Sequence, residues 1–140
     1  MTAATTPPLV MVLDRIGPGT VAETRLAVRE LVRHAGIGDL ADSAALLTTE
    51  LVADAVAREP DALIVYAECD RRHVRVEVGE TGEAASTAAR RAPGSVAHGE
   101  ARTAGALRSR LLDELADGWG SIRTGDGGIV WFDVGIRTSV

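Results

Sequence analysis

Apolar and polar positions follow two rhythms along this chain, one near 3.6 residues and one of two. Leu9–Leu13 is a short apolar run that predicts a strand, and Ile16-Gly17-Pro18-Gly19 reads as a turn. A helix is predicted from Thr20 to about His34, with Thr20 and Glu23 spaced as a capping box and Gly36 and Gly38 ending it. A second helix is expected from a cap at Asp39 to about Arg58. Leu40, Ala44, Leu47, Leu51 and Ala55 form its apolar stripe, Leu46 and Val52 widen it, and Pro60 closes the segment.

The rhythm then shortens. Leu63–Cys69 is rich in β-formers, Asp70-Arg71-Arg72 is a turn, and His73–Val78 alternates, with Val74, Val76 and Val78 on one face. Residues 79–102 have no clear period and are rich in Ala, Gly, Ser and Thr, and a connection this long inside a domain reads as a lid or binding loop. A third helix is expected over about Ala104–Asp117, with Leu107, Leu111, Leu112 and Leu115 as its apolar positions. Trp119–Arg123, the turn Thr124-Gly125-Asp126-Gly127-Gly128 and Ile129–Val134 form a second hairpin. Strands that come as antiparallel pairs, with helices enough for one face, predict an α+β fold. It would be a two-layer sandwich of a mainly antiparallel sheet covered on one face by three helices. One domain is expected over residues 9–137, after a disordered lead-in at 1–8.

Composition adds constraints. Aromatic residues make up 3% of the chain, so the core is built from Ala, Val, Leu and Ile, with Tyr66, Trp119, Trp131 and Phe132 as the few large fillers. The net charge of −5 argues against a nucleic-acid binder, and all 15 basic residues are Arg. Cys69 is the sole cysteine and sits in a strand-like run, which suits a small buried apolar residue. No cationic leader or membrane-length apolar run is visible, so a cytoplasmic protein without a membrane partner is expected.

Candidate chemistry centres on Glu50 and Asp54, four apart and so on one face of the second helix, with Arg58 four further on. The commoner reading of such a stripe is a solvated face with an Asp54–Arg58 ion pair. The functional reading is a general base, Glu50, beside a magnesium ligand, Asp54, because hard oxygen donors suit that ion. Glu80-Thr81-Gly82 reads as a turn after a strand. That is the commoner reading; the functional one is a carboxylate that accepts a hydrogen bond from an exocyclic amine and a glycine that lets the backbone pass close to a flat base. Gly94, Gly99 and Gly105 precede or open the third helix in no tight phosphate-cradle spacing. The three histidines, His34, His73 and His98, have no ligand spacing.

From about Pro18 to Val134 the chain resembles the histidine-kinase-like (Bergerat-type) ATPase superfamily in its small anti-sigma-factor serine kinase form. Leu46–Val56 (LLTTELVADAV) is similar to the helix bearing that family's Glu-x-x-x-Asn pattern. Val74–Gly82 (VRVEVGETG) is similar to the strand leading to its Asp-x-Gly motif. Leu111–Gly120 (LLDELADGWG) and Gly128–Val134 (GIVWFDV) are similar to the post-lid helix and the closing strand. The resemblance implies that Glu50 is the catalytic base, that Asp54 stands where an Asn holds magnesium, and that Glu80 stands where an Asp reads adenine. Gly82 matches the motif glycine. The lid's closing Gly-x-Gly-Leu turn falls on Ala106-Leu107-Arg108-Ser109, unless an insertion puts Gly105 in its place.

Three departures in one site imply a degenerate kinase. The function implied is that of a regulatory, anti-sigma-factor-type module holding a sigma factor or a small antagonist domain, with homodimerisation admitted and ATP binding weakened or lost. The alternative is an active serine kinase using ATP and magnesium, with Glu50 deprotonating a partner's serine.

Overall fold

The computed structural model describes residues 6–81, 110–124 and 127–136. Gly82, Gly94, Gly99 and Gly105, the rest of the expected lid, the first part of the third helix and the tip of the last turn lie outside the described residues.

Strand β1 (Leu9–Leu13) leads to helix α1 (Thr20–His34), which buries Thr20, Thr24, Val28 and Val32, one residue per turn. The expected capping box does not form. Gly19 is the N-cap with no side-chain cap, and the Thr20 hydroxyl instead accepts the Gly17 N–H at 2.9 Å, bracing the preceding turn. The helix ends as its glycine predicts. Gly36 takes φ +82°, its N–H bonds to the Arg33 carbonyl, and the Ile37 N–H reaches the Val32 carbonyl, which is the Schellman closure.

Asp39 is not the cap of the next helix. A 3₁₀ turn over Gly38–Leu40 precedes α2 (Ala41–Ala57), whose N-cap is Leu40 without a side-chain cap. The predicted stripe Leu40, Ala44, Leu47, Leu51 and Ala55 is buried, as is Val52, but Leu46 is 41% exposed and lies outside the apolar face. Glu59 leaves the helix at φ +52° rather than in the extended region its following proline favours, and Pro60 is buried.

Strands β2 (Ala62–Cys69) and β3 (His73–Thr81) pair through a turn in which the Asp70 carboxylate accepts the Arg72 and His73 N–H groups. The Arg72 N–H, with help from His73, holds the Asp70 carboxyl below its ordinary value. Helix α3 is described over 110–115. The hairpin of β4 (Gly118–Thr124) and β5 (Gly127–Gly135) follows. The Trp119 indole N–H donates to Asp113 at 2.9 Å, tying α3 to β4, and Leu112 is fully buried.

All four pairings are antiparallel, in the order β1-β2-β3-β5-β4. The result is an α+β, two-layer sandwich with helices on one face of the sheet. Leu63, Val65, Ala67, Val74, Val76, Val78, Val130, Phe132 and Val134 turn inward against α1 and α2. Each buried Val, Leu or Phe among them contributes about 1.5–3 kcal/mol relative to exposure. Phe132 and Trp119 are core fillers, whereas Trp131 and Tyr66 point to the opposite face and are not. Trp131 lies against β4, where a Cβ at Gly120 would sit 3.1 Å from its ring, and the Arg75 guanidinium lies 4.4 Å from its centroid.

Candidate functional site

β3 runs three residues past the predicted end, so Gly79, Glu80 and Thr81 are strand residues rather than the opening of a loop. Strand parity then decides where Glu80 points. It shares the face of Val74, Val76 and Val78, toward the helices, and its side chain is only 4% exposed. A carboxylate so placed needs a cation or several donors. Arg58, on the residue that ends α2, supplies one. Its Nε–H donates to both Glu80 oxygens, at 2.7 and 2.9 Å, and its Nη1 donates to Asp54 Oδ2 at 2.6 Å.

Asp54, Arg58 and Glu80 therefore form one ionic cluster joining the C-terminal turn of α2 to the end of β3. Burial alone would draw the Arg58 guanidinium down. The Glu80 hydrogen bond and the charges of Glu80 and Asp54 more than reverse this, and its pKa lies above the ordinary value. The helix end is held at the same place from the backbone, where the Asp61 N–H donates to the Thr81 carbonyl at 2.7 Å. Gly127 admits β5 here. At φ +157° its position leaves no room for a side chain, because a Cβ would collide with the Glu80 carbonyl oxygen.

The Asp54–Arg58 pair expected from the helix stripe is present, and Asp54 and Glu80 are brought to one side of the sheet. Glu50 is half-buried one turn earlier on α2 and does not line the hollow at Glu80. That hollow is bounded by Leu51, Ala55, Arg58, Val78, Ser121 and Gly128, and has a volume of about 10 Å³. This is room for about one water, against roughly 300–1,000 Å³ for ordinary ligand pockets. As placed, these residues do not fit an adenine or a magnesium ion. Both Glu80 oxygens already accept from Arg58, and an Asp54 oxygen is bonded to a cation. Among the described residues no group of three or more His, Cys, Asp or Glu could hold a metal.

The Arg58–Glu80 bond is the feature that motif reading misses. Its signal lies in the parity of β3, which makes Glu80 an inward carboxylate, and in the one cation of the polar stripe on α2. The contact of His73 Nδ1 with Asp70 Oδ2 at 2.6 Å belongs to the exposed β2–β3 turn, away from this cluster. No described helix is long and apolar enough to cross a membrane. No protein-family model matches the chain, and comparison with curated proteins finds no match.

Proposed function

We propose that this chain is a regulatory protein-binding module of the anti-sigma-factor type, cytoplasmic, in which the place of the nucleotide is taken by the chain's own Arg58. The reading starts from the resemblance of the Glu50–Asp54 helix, the Glu80 strand and the closing strand to the histidine-kinase-like ATPases. The antiparallel sheet with helices on one face is the architecture that resemblance implies.

The observation that carries the reading is the engagement of both Glu80 oxygens by Arg58 Nε. An adenine amine is a neutral donor. To reach Glu80 it would displace a charge-assisted bond about twice as strong as the one it offers, and strand a buried guanidinium. Phosphoryl transfer needs nucleotide and magnesium positioned together, and a hollow of about 10 Å³ at Glu80 supports a reading in which nucleotide is not held. What remains is a rigid sandwich that acts by contact with a partner, a sigma factor or a small antagonist domain.

Calorimetric titration with ATP and magnesium tests this reading. The reading predicts no binding heat up to millimolar nucleotide. Micromolar binding would return the chain to the active serine kinases, with Glu50 as base and Asp54 on magnesium.

A further inference from the structure

The face of the sheet away from the helices carries a pattern of its own. The register aligns Val12, Ile64, Gly79, Ile129 and Ile122 in one row across all five strands. Its four branched aliphatic residues are each more than one-third exposed. Gly79, at the centre, has no side chain, and the gap forms a dent of about 230 Å³ walled by Ile64 and Ile129 and rimmed by Tyr66, Glu77 and Thr81. The next row is Val10, Tyr66, Glu77, Trp131 and Gly120, and the row after it runs Glu68, Arg75, Asp133 and Gly118. Across these rows Glu68, Glu77 and Asp133 face a single cation, Arg75, which is already held by Glu77 at 3.2 Å and Asp133 at 3.3 Å. The Tyr66 phenol reports the negative field. Its bond to Glu68 and the charges of Glu68 and Glu77 hold its pKa above the ordinary value.

We propose that this face is the partner-docking surface, and that the partner presents an aliphatic side chain into the dent at Gly79 with Arg or Lys beside it to meet Glu77 and Glu68. The proposal deepens the reading of the chain as a partner-binding module and rests on it. A contiguous apolar row of this extent on an exposed sheet marks an interaction site. A central pocket ringed by tighter contacts is where an interface anchor gains most. Charge selects the occupant. A second copy docked face to face would bring the excess carboxylates of both copies together, which like-charge juxtaposition disfavours. An anionic membrane or a nucleic acid is repelled for the same reason. A basic, apolar protein segment is complementary on both counts.

The test uses the full chain, ¹⁵N-labelled, and three ten-residue peptides. One has a central Leu flanked by Arg, one has that Leu replaced by Ala, and one has every Arg replaced by Glu. The Arg–Leu peptide shifts the amides of Ile64, Gly79 and Ile129, weakens by roughly tenfold between 50 and 300 mM salt as its charges are screened, and outcompetes the other two. Gly79→Val fills the dent. Its Cβ meets Ile129 Cγ1 at 3.7 Å, an ordinary contact, and peptide affinity falls at least tenfold, with the melting temperature of the variant measured alongside to show that it is folded. Glu77→Gln leaves the dent open, weakens the peptide and flattens its salt dependence.

Equal binding of the Glu-containing peptide, or indifference to Gly79→Val, overturns the proposal. So does protection of Ile64 and Ile129 amides by concentration-dependent dimerisation of the chain alone. Nucleotide binding alongside intact peptide docking overturns the closed-pocket reading and leaves the docking surface standing. Silence to nucleotide with no peptide docking does the reverse.

Discussion

Arg58 Nε donates one N–H to both carboxylate oxygens of Glu80, at 2.7 and 2.9 Å, across a sequence separation of 22 residues. The bond ties the last turn of the helix that carries Glu50 and Asp54 to the end of the central strand. Arg58 also lines the small hollow at Glu80, the place that the proposed reading assigns to a base. One side chain is thus both a structural tie and the closure of the hollow.

Removing that tie should be costly because the buried Glu80 carboxylate loses the charge-assisted bond that Arg58 makes to both its oxygens. Arg58→Met is expected to lower unfolding free energy by about 3–5 kcal/mol, the usual consequence of breaking a buried ion pair from one side. Glu80→Gln should cost less, since an amide is easier to bury than an unpaired charge. The double change Arg58→Met with Glu80→Leu should recover most of the loss. Urea unfolding of the four proteins checks this, and a double variant no more stable than Arg58→Met would mean that the pair is not the source of the effect.

Two glycines separate backbone strain from steric exclusion. Gly36 has φ +82° with open space around it, so Gly36→Ala should cost roughly 1 kcal/mol from left-handed backbone alone. At Gly127 a Cβ would strike the Glu80 carbonyl oxygen, so β5 must move away from β3, and Gly127→Ala should cost about 3 kcal/mol or more. Thermal or urea unfolding ranks the two.

Much of this fold was legible in the sequence. The apolar stripe of α2, the alternation Val74, Val76 and Val78, and the glycine-marked end of α1 each follow from one local rule, and each is present. The misses are tertiary or depend on competing local bonds. Thr20 and Glu23 have the spacing of a capping box, but the Thr20 hydroxyl accepts from Gly17 instead. Trp131 reads as core by residue type, yet its strand parity places it opposite Phe132, on the outer face beside Arg75. In the candidate site, Asp54 with Arg58 was readable from a spacing of four. Glu80 with Arg58 was not, because nothing local shows which helix end meets which strand end. The motif glycine Gly82 and Gly105, the candidate for the lid's closing turn, lie outside the described residues.

Cys69 gives a pH-dependent check on packing at the end of β2. Burial, with the nearby charges of Asp70 and Glu68, pushes its thiol from the ordinary 9.0 up to about 11. An acid whose value is raised in the folded state adds stability that is complete below the unfolded value. That stability is lost as pH climbs from 9.0 toward 11. Cys69→Ala should remove this alkaline loss. At pH 8 the two values imply about a hundredfold less thiolate in the native chain than in the unfolded one. Iodoacetamide labelling should be slower by at least that factor, and similar rates in both states would show the thiol to be open.

The closure of the hollow by Arg58 is tested most directly by the Nε–H resonance of Arg58 in ¹⁵N-edited spectra. Held between two carboxylate oxygens, it should appear as a downfield, slowly exchanging signal. It should vanish in Glu80→Gln and stay in place as ATP and magnesium are added to millimolar concentration. A signal that exchanges rapidly with water, or that shifts on nucleotide addition, would contradict the account.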